Sequence, residues 1–300
     1  MLFIGGGPVS GESVFQETLH LPMPSGPRIV YDRRVKSKWI EQIERFKPDV
    51  VHAHNTIVGH FLLDTELPVL LDDDEVYSQQ PWMYQARPLA RRMLAKIMWR
   101  QFPRWEKQMA ERYPVITVSD GLADYYRQFT SRVSVVINTP TLAQVERLEN
   151  PADREGLVYI GRDFSLPKFI PFRDMTGLRE ILDFDIISGL PHHEMMDRLV
   201  HYKIGLTPYR PHPFQLLCNA NKNYEYLHAG LQVVVQRNFA HLFEGDSYVH
   251  PFTDYSEIAD VVNSVPDRNS GDIMAHARQN YVWERQEGII RDAYNVALNQ

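Results

Sequence analysis

Residues 35–54 read VKSKWIEQIERFKPDVVHAH, and the change of period inside this stretch decides the fold class. Val35, Trp39, Ile40, Ile43 and Phe46 recur at helical spacing. Pro48 ends that helix, and DVVHAH follows as a strand. Ahead of it, MLFIGGG reads as a short buried strand running into a glycine turn, and Arg28 to Asp32 (RIVYD) as a second strand. The unit is βαβ.

The same grammar runs on toward the C-terminus. A short apolar helix near Phe61–Leu63, the strand PVLL, a helical region from about Arg87 to Arg112, the strand PVITVS, a helix near Leu122–Gln128 and the strand VSVVIN follow one another. A polar stretch through Asn150, Pro151 and Asp153 then marks a boundary. Beyond it come GLVYIG, FDIIS, a helix from His192 to about Tyr202, IGLTPY, a helix near Asn223–His228 and LQVVVQ, with closing helices around Ser256–Ser264 and Asp272–Leu298. Strands alternating with helices predict mostly parallel sheets covered on both faces. The expectation is an α/β chain of two Rossmann-like domains, 1–150 and 151–300. Their ligand should lie where the carboxyl ends of the strands face each other.

Composition sets limits on the chemistry. The 300 residues are 44% hydrophobic and 23% charged, ample for two packed cores and unlike a disordered chain. A single cysteine, Cys218, can form no internal disulfide, and neither a signal peptide nor a long apolar run is evident. A cytoplasmic protein is expected, and the net charge of −6 gives no reason to expect specific nucleic-acid binding. One segment runs against that charge. Between Arg87 and Arg112 eight Lys or Arg face only Glu106 and Glu111, a local +6, with Arg92, Lys96, Arg100 and Arg104 four residues apart. Such a stripe suits peripheral contact with an anionic membrane, and equally a solvated helix on the domain core.

Several constellations could carry chemistry. Gly5, Gly6 and Gly7 follow the first strand, where glycine lets a backbone approach phosphate closely. Counted from Gly5, the third position of a dinucleotide fingerprint is Ser10 and Pro8 intervenes, so a plain tight turn competes; Asp32 would be the ribose-binding acid of an oxidoreductase. His52 and His54 project from one face of their strand. Zinc would need a third protein ligand, and none is spaced for it, so no metal is assigned. Asp72, Asp73, Asp74 and Glu75 leave the next strand toward the same end, where uncompensated carboxylates raise one another's pKa. In the second half Arg162 and Lys168 offer two cations suited to a diphosphate, or are ordinary surface charges. CNANKNYEYLHAG (218–230) reads as a polar turn entering a helix. The N–H groups of Asn219, Ala220 and Asn221 with the charge of Lys222 would suit an anion, and Glu225 the hydroxyls of a ribose.

Taken in order, KPDVVHAHN, PVITVSDGLADYY, VSVVIN, LVYIGR, IGLTPY, KNYEYLHAG followed by LQVVV, and WERQEGIIRDAYNVAL resemble the retaining nucleotide-sugar glycosyltransferases of the GT-B fold, group 1, family 4-like. The resemblance spans nearly the whole chain. It implies a UDP- or GDP-sugar donor bound mainly by the second domain, and a glycan, lipid-linked or other hydroxyl acceptor on the first. It further implies no essential metal or separate cofactor, and a last helix packing back on the first domain. By position, Arg162 and Lys168 would hold the diphosphate, Glu225 the ribose, the backbone near Asn219 and Ala220 the phosphate and sugar, and Gly6 and Gly7 the phosphate from the opposite side. His54 and Asp74 fall on the acceptor side. Two positions depart from the pattern: Leu217 stands where the family commonly has a glutamate, and Asp74 where many members carry a histidine. The rivals are a nucleotide-sugar epimerase or NAD-dependent oxidoreductase, and a catalytically inactive sugar-nucleotide-binding partner.

Overall fold

The structure is a computed structural model and describes residues 2–5, 17–20, 28–80, 93, 96, 99–162 and 171–300. β1 (Leu2–Gly5) and β2 (Glu17–His20) form a parallel pair. β3 (Val51–His54), β4 (Val69–Asp72), β5 (Val115–Thr117) and β6 (Val133–Val135) form a parallel four-stranded sheet in that order. In the second half β7 (Leu157–Ile160), β8 (Asp185–Ile187), β9 (Ile204–Thr207), β10 (Gln232–Gln236) and β11 (Val249–Phe252) form a parallel sheet of order β11-β10-β9-β7-β8. All five residues of β10 are buried, as expected for a central parallel strand covered on both faces.

Three segments differ from the expectation. Arg28–Asp32 is the opening of a helix, Arg28–Phe46, and not a strand. Ile29 and Val30 favour strands locally, but the helix they extend already buries Val35, Trp39 and Ile43 along one stripe, and that packing outweighs two residues' propensity. Asp32 therefore ends no strand, which removes the acid that the oxidoreductase reading required. ETLH (17–20) forms β2 although its polar residues give no strand pattern. β11 contains Pro251, which the ladder tolerates because β11 lies at the sheet edge.

The order of the second sheet creates the crevice. The chain passes from β7 to β8 on one side, then returns to place β9 on the other, so the direction of winding reverses at β7. Ligands in open α/β sheets bind outside the carboxyl ends of strands at such a reversal. β7 and β9 pair at Leu157↔Ile204 and Val158↔Gly205. Further along, the hydroxyl of Tyr226 stands between them: the Ile160 N–H donates to it (2.9 Å) and it donates to the Leu206 carbonyl (2.9 Å). Buried backbone groups that would otherwise lose partners are thereby satisfied. The ring reaches this place only because residue 205 is glycine; a Cβ there would lie 2.2 Å from the Tyr226 Cγ.

The last helix, Glu287–Leu298, crosses back onto the first sheet. Ala293 and Ala297 bury against Leu70 of β4 and Ile116 of β5, small side chains that let the helix sit close. Gln286, just before it, accepts from the Ile137 N–H and donates to the Ile137 carbonyl and the Thr139 hydroxyl, pinning its start beyond β6. Among the described residues no helix is long and apolar enough to cross a membrane.

Candidate active site

In the first half, β3 and β4 pair so that His54 lies opposite Asp72, both at the carboxyl end. The His54 Nδ1 is 3.7 Å from the Asp72 carboxylate and its Nε2 is 3.9 Å from that of Asp74. The Asp72 carboxylate is the main reason the imidazole pKa rises to about 8, with Asp74 and Asp73 adding to it against a partial burial penalty. The side chain stays 61% exposed, open to a ligand. His52, on the same strand face, holds Asp72 from the other side: its Nε2 is 3.0 Å from the carboxylate and its Nδ1 is 2.6 Å from the Tyr294 hydroxyl on the last helix.

The acidic run is not a set of equivalent repelling carboxylates, and that expectation is corrected residue by residue. Burial alone would raise Asp72, yet hydrogen bonding and charge from His52 and His54 outweigh it and hold its pKa far below the ordinary range. Asp73 is buried completely and is pushed up to about 8, chiefly by desolvation; it accepts from the Thr56 N–H and hydroxyl and from the Tyr126 hydroxyl. Glu75 is raised by burial and the Asp74 charge. The turn that delivers these groups is anchored by Asn55, at φ +73°, whose side-chain oxygen accepts from the Ile57 and Val58 N–H groups and so caps the helix Asn55–Leu62. Asparagine is one of the few residues that adopts this left-handed geometry readily.

In the second half β7 ends at Gly161, φ +135°, where a Cβ would meet the Tyr159 hydroxyl at 2.9 Å and the Lys222 Nζ at 3.3 Å. Arg162 follows, exposed, at the rim of a pocket of about 170 Å³ walled by Ile187, Ser188, Gly189, Leu190 and Met195. Lys222 does not reach out as a free cation. Its Nζ donates to the Ile160 carbonyl (2.8 Å) and the Tyr209 hydroxyl (2.9 Å) and lies 4.2 Å from the centre of the Tyr159 ring. Its charge therefore sits beneath the Gly161 turn. With Arg173 it outweighs the burial that would raise Tyr209, and the Tyr209 pKa falls. Glu225, on the helix Lys222–His228, faces His192, 3.2 Å away at the start of the helix His192–Leu199, and raises the imidazole pKa by that contact. The N–H groups of Asn219, Ala220 and Asn221 donate to no group among the described residues.

The halves meet along a seam next to this site. The Ser119 hydroxyl donates to the Leu217 carbonyl (3.0 Å), and the Asn219 side-chain amide donates to the Val118 carbonyl (3.1 Å). The charges of Asp74 and Glu75 reach Cys218, and that of Arg173 reaches Glu75. The carboxyl end of β4 therefore lies across from the Arg173 and Leu217–Asn219 segments.

His54, Asp74, Asn219, Ala220, Lys222, Glu225 and Arg162 thus all occupy strand ends or turns around the two crevices. Gly6, Gly7 and Lys168 lie outside the described residues. Among the described residues no group of three or more His, Cys, Asp or Glu side chains is disposed to hold a metal ion. Three participants escaped the sequence reading: His192, Arg173 and Tyr294. The doubled histidine of PHHE (191–194) at a strand-to-helix turn was a usable signal for the first. Tyr294 had none, lying 242 positions from His52.

No family model and no curated protein matches the chain in sequence. Solved structures do match in shape. A sucrose-phosphate synthase from Thermosynechococcus elongatus superposes with a TM-score of 0.64 at 14% identity, over 99% of this chain and 89% of its own. WaaG, a glycosyltransferase involved in lipopolysaccharide biosynthesis, gives 0.62 at 13%, over 96% and 88%. An Escherichia coli trehalose-6-phosphate structure bound with UDP-2-fluoro glucose gives 0.58 at 11%, over 91% and 80%. What the chain shares with them is architecture, two parallel α/β halves meeting at their strand ends, and it has the GT-B fold.

Proposed function

We propose that the protein is a glycosyltransferase moving a sugar from a nucleoside diphosphate sugar to a hydroxyl of a glycan or lipid-linked acceptor, with retention of anomeric configuration. The observation that carries this reading is the opposition, across one seam, of the His54–Asp72 pair on the first half to Arg162, Glu225 and the 219–221 turn on the second. The pocket beside Arg162, with Ile187, Leu190 and Met195 as apolar walls, suits the flat face of a nucleobase. Glu225 suits the ribose hydroxyls. Arg162, and Lys168 by resemblance, would stabilise charge on the departing diphosphate. Drawing the halves together positions donor and acceptor and excludes water, which can supply several of the roughly 8–23 kcal/mol by which enzymes lower barriers. UDP-2-fluoro glucose on the trehalose-6-phosphate structure favours a UDP-sugar as the first donor to try.

The inactive-partner reading has one observation in its favour: Leu217 brings no carboxylate to the site, and its carbonyl is engaged by Ser119. One experiment separates the two. UDP, GDP and their sugars are screened for thermal stabilisation, and each binder is then followed for nucleoside diphosphate release with and without simple sugar acceptors. A transferase shows binding and release. Binding without release supports the inactive partner, and no stabilisation by any nucleotide contradicts both.

A further inference from the structure

A chain of polar contacts runs from the last helix into the acceptor side, and nothing in the donor chemistry uses it. Asp72 carries a carboxylate, so the His52 Nε2, 3.0 Å from it, is the protonated nitrogen. In the neutral ring Nδ1 is then an acceptor, and the Tyr294 hydroxyl, 2.6 Å away, donates to it. Tyr294 thereby fixes the His52 tautomer. His52 in turn fixes Asp72 with the oxygen that also faces the His54 Nδ1 at 3.7 Å, so that nitrogen is the protonated one and Nε2 is left toward the cleft. The order of contacts is Tyr294, His52, Asp72, His54.

We propose that Tyr294 is a positioning residue which, through His52 and Asp72, holds His54 in the tautomer and orientation that accept the proton of the acceptor hydroxyl. This rests on the transferase reading above. In the step, the acceptor oxygen bonds to the anomeric carbon of the donor and its proton passes to the His54 Nε2. The bond from the anomeric carbon to the diphosphate breaks, and the electron pair leaves on the diphosphate. Asp72 compensates the imidazolium that forms. A carboxylate behind an imidazole does this wherever it holds the ring and stabilises its charged form.

The groups around His54 agree with the assignment. Asp72 and Asp73 come from β4 and its exit, Asp74 and Glu75 from the loop beyond, His52 from its own strand and Tyr294 from the last helix; from the second half Arg173 reaches Glu75. The carboxylates keep the His54 pKa near 8, close enough to neutrality for the ring to exchange protons at working pH. Removing the Tyr294 hydroxyl frees the His52 Nδ1 to take a proton. A protonated His52 neutralises Asp72, and the pKa of His54 then falls toward its ordinary value of about 6.5.

The test uses the full-length protein and the variants Tyr294→Phe, His52→Gln and His54→Gln. Phenylalanine keeps the ring that packs beside His52 and in the cluster of Leu70 and Ile116, so the fold is retained. The His54 ring proton, assigned by its absence in His54→Gln, is titrated by NMR. It should report a pKa near 8 in the parent and at least about half a unit lower in Tyr294→Phe. Hydrolysis of UDP-glucose, with water as acceptor, should lose several-fold in kcat in Tyr294→Phe, its acid limb should move down with the NMR value, and UDP affinity should be unchanged. An identical His54 titration in parent and Tyr294→Phe overturns the proposal, as does a fall in kcat whose pH limb does not move. Failure of UDP to bind the parent overturns the donor reading instead, and the NMR titration still judges the relay.

Discussion

Gly121 lies directly beneath the carbonyl of Leu216: a Cβ at residue 121 would stand 2.0 Å from that oxygen, closer than any real contact. Gly121 opens the helix Asp120–Arg127, whose cap, Ser119, also holds the Leu217 carbonyl. The two halves can meet in this arrangement only because residue 121 has no side chain. Gly121→Ala should therefore part the seam while leaving each half folded. Turnover should fall about tenfold or more, since positioning across the cleft is lost, with nucleotide affinity within about threefold of the parent. Steady-state kinetics beside calorimetry checks this; equal losses in both would mean that the substitution had disturbed the second half itself.

Asp73 gives a prediction with a definite sign. Its folded pKa, about 8, lies above the ordinary carboxyl value of 3.8, so folding takes up a proton between those values. The stability this group contributes is fully present below about pH 4 and is lost as pH rises toward 8. Asp73→Asn mimics the protonated acid and keeps partners for Thr56 and Tyr126. The variant should gain on the parent steadily from pH 5 to pH 8, by a few degrees in Tm at the upper end, of the order expected for roughly 1 kcal/mol. Melting curves at four pH values measure it. A constant difference across the range would show that Asp73 is ionised in the fold.

Much of the fold was legible because alternation of helical and strand periods is a local property. β10, the helix Lys222–His228 and the turn at Gly161 could be placed from their own residues. Asp74 and His54 were legible as a pair because consecutive parallel strands share a carboxyl end. Where local preference and long-range packing disagreed, packing won: Ile29 and Val30 look like strand residues, yet the helix that buries Trp39 claims them. The site's supports were hidden for a different reason. The Tyr226 hydroxyl bridging β7 and β9, and Tyr294 behind His52, are contacts between segments far apart in sequence, and a tyrosine's spacing does not say which strand it will reach.

The basic segment makes a separate prediction about partners. Of its described residues, Lys96, Arg100, Arg104 and Lys107 are exposed and Met93 is 64% exposed, while Phe102, Met109 and Ala110 are buried in the first half. We propose that this cationic face rests on an anionic membrane, as a lipid-linked acceptor would require. Sedimentation should show the protein bound to vesicles containing anionic lipid and not to neutral ones. Lys96→Glu combined with Arg100→Glu should release it, with nucleotide binding retained. Equal binding to both vesicle types, or none, would leave these residues as a solvated helix face.

The central claim is that Glu225 and Arg162 form one donor site on the second half, with different duties. Glu225→Ala should weaken nucleoside diphosphate binding by about 1.5–3 kcal/mol, the worth of a charged hydrogen bond. Arg162→Ala should lower turnover by more than it lowers donor affinity, because its charge acts where the leaving diphosphate develops charge. Calorimetry with UDP and GDP on the parent and both variants, paired with turnover of the matched sugar donor, is the most direct measurement. The account predicts a clear loss of affinity in Glu225→Ala and a loss dominated by kcat in Arg162→Ala. If Glu225→Ala binds nucleotide as tightly as the parent, Glu225 serves only His192, and the donor site placed at this helix is wrong.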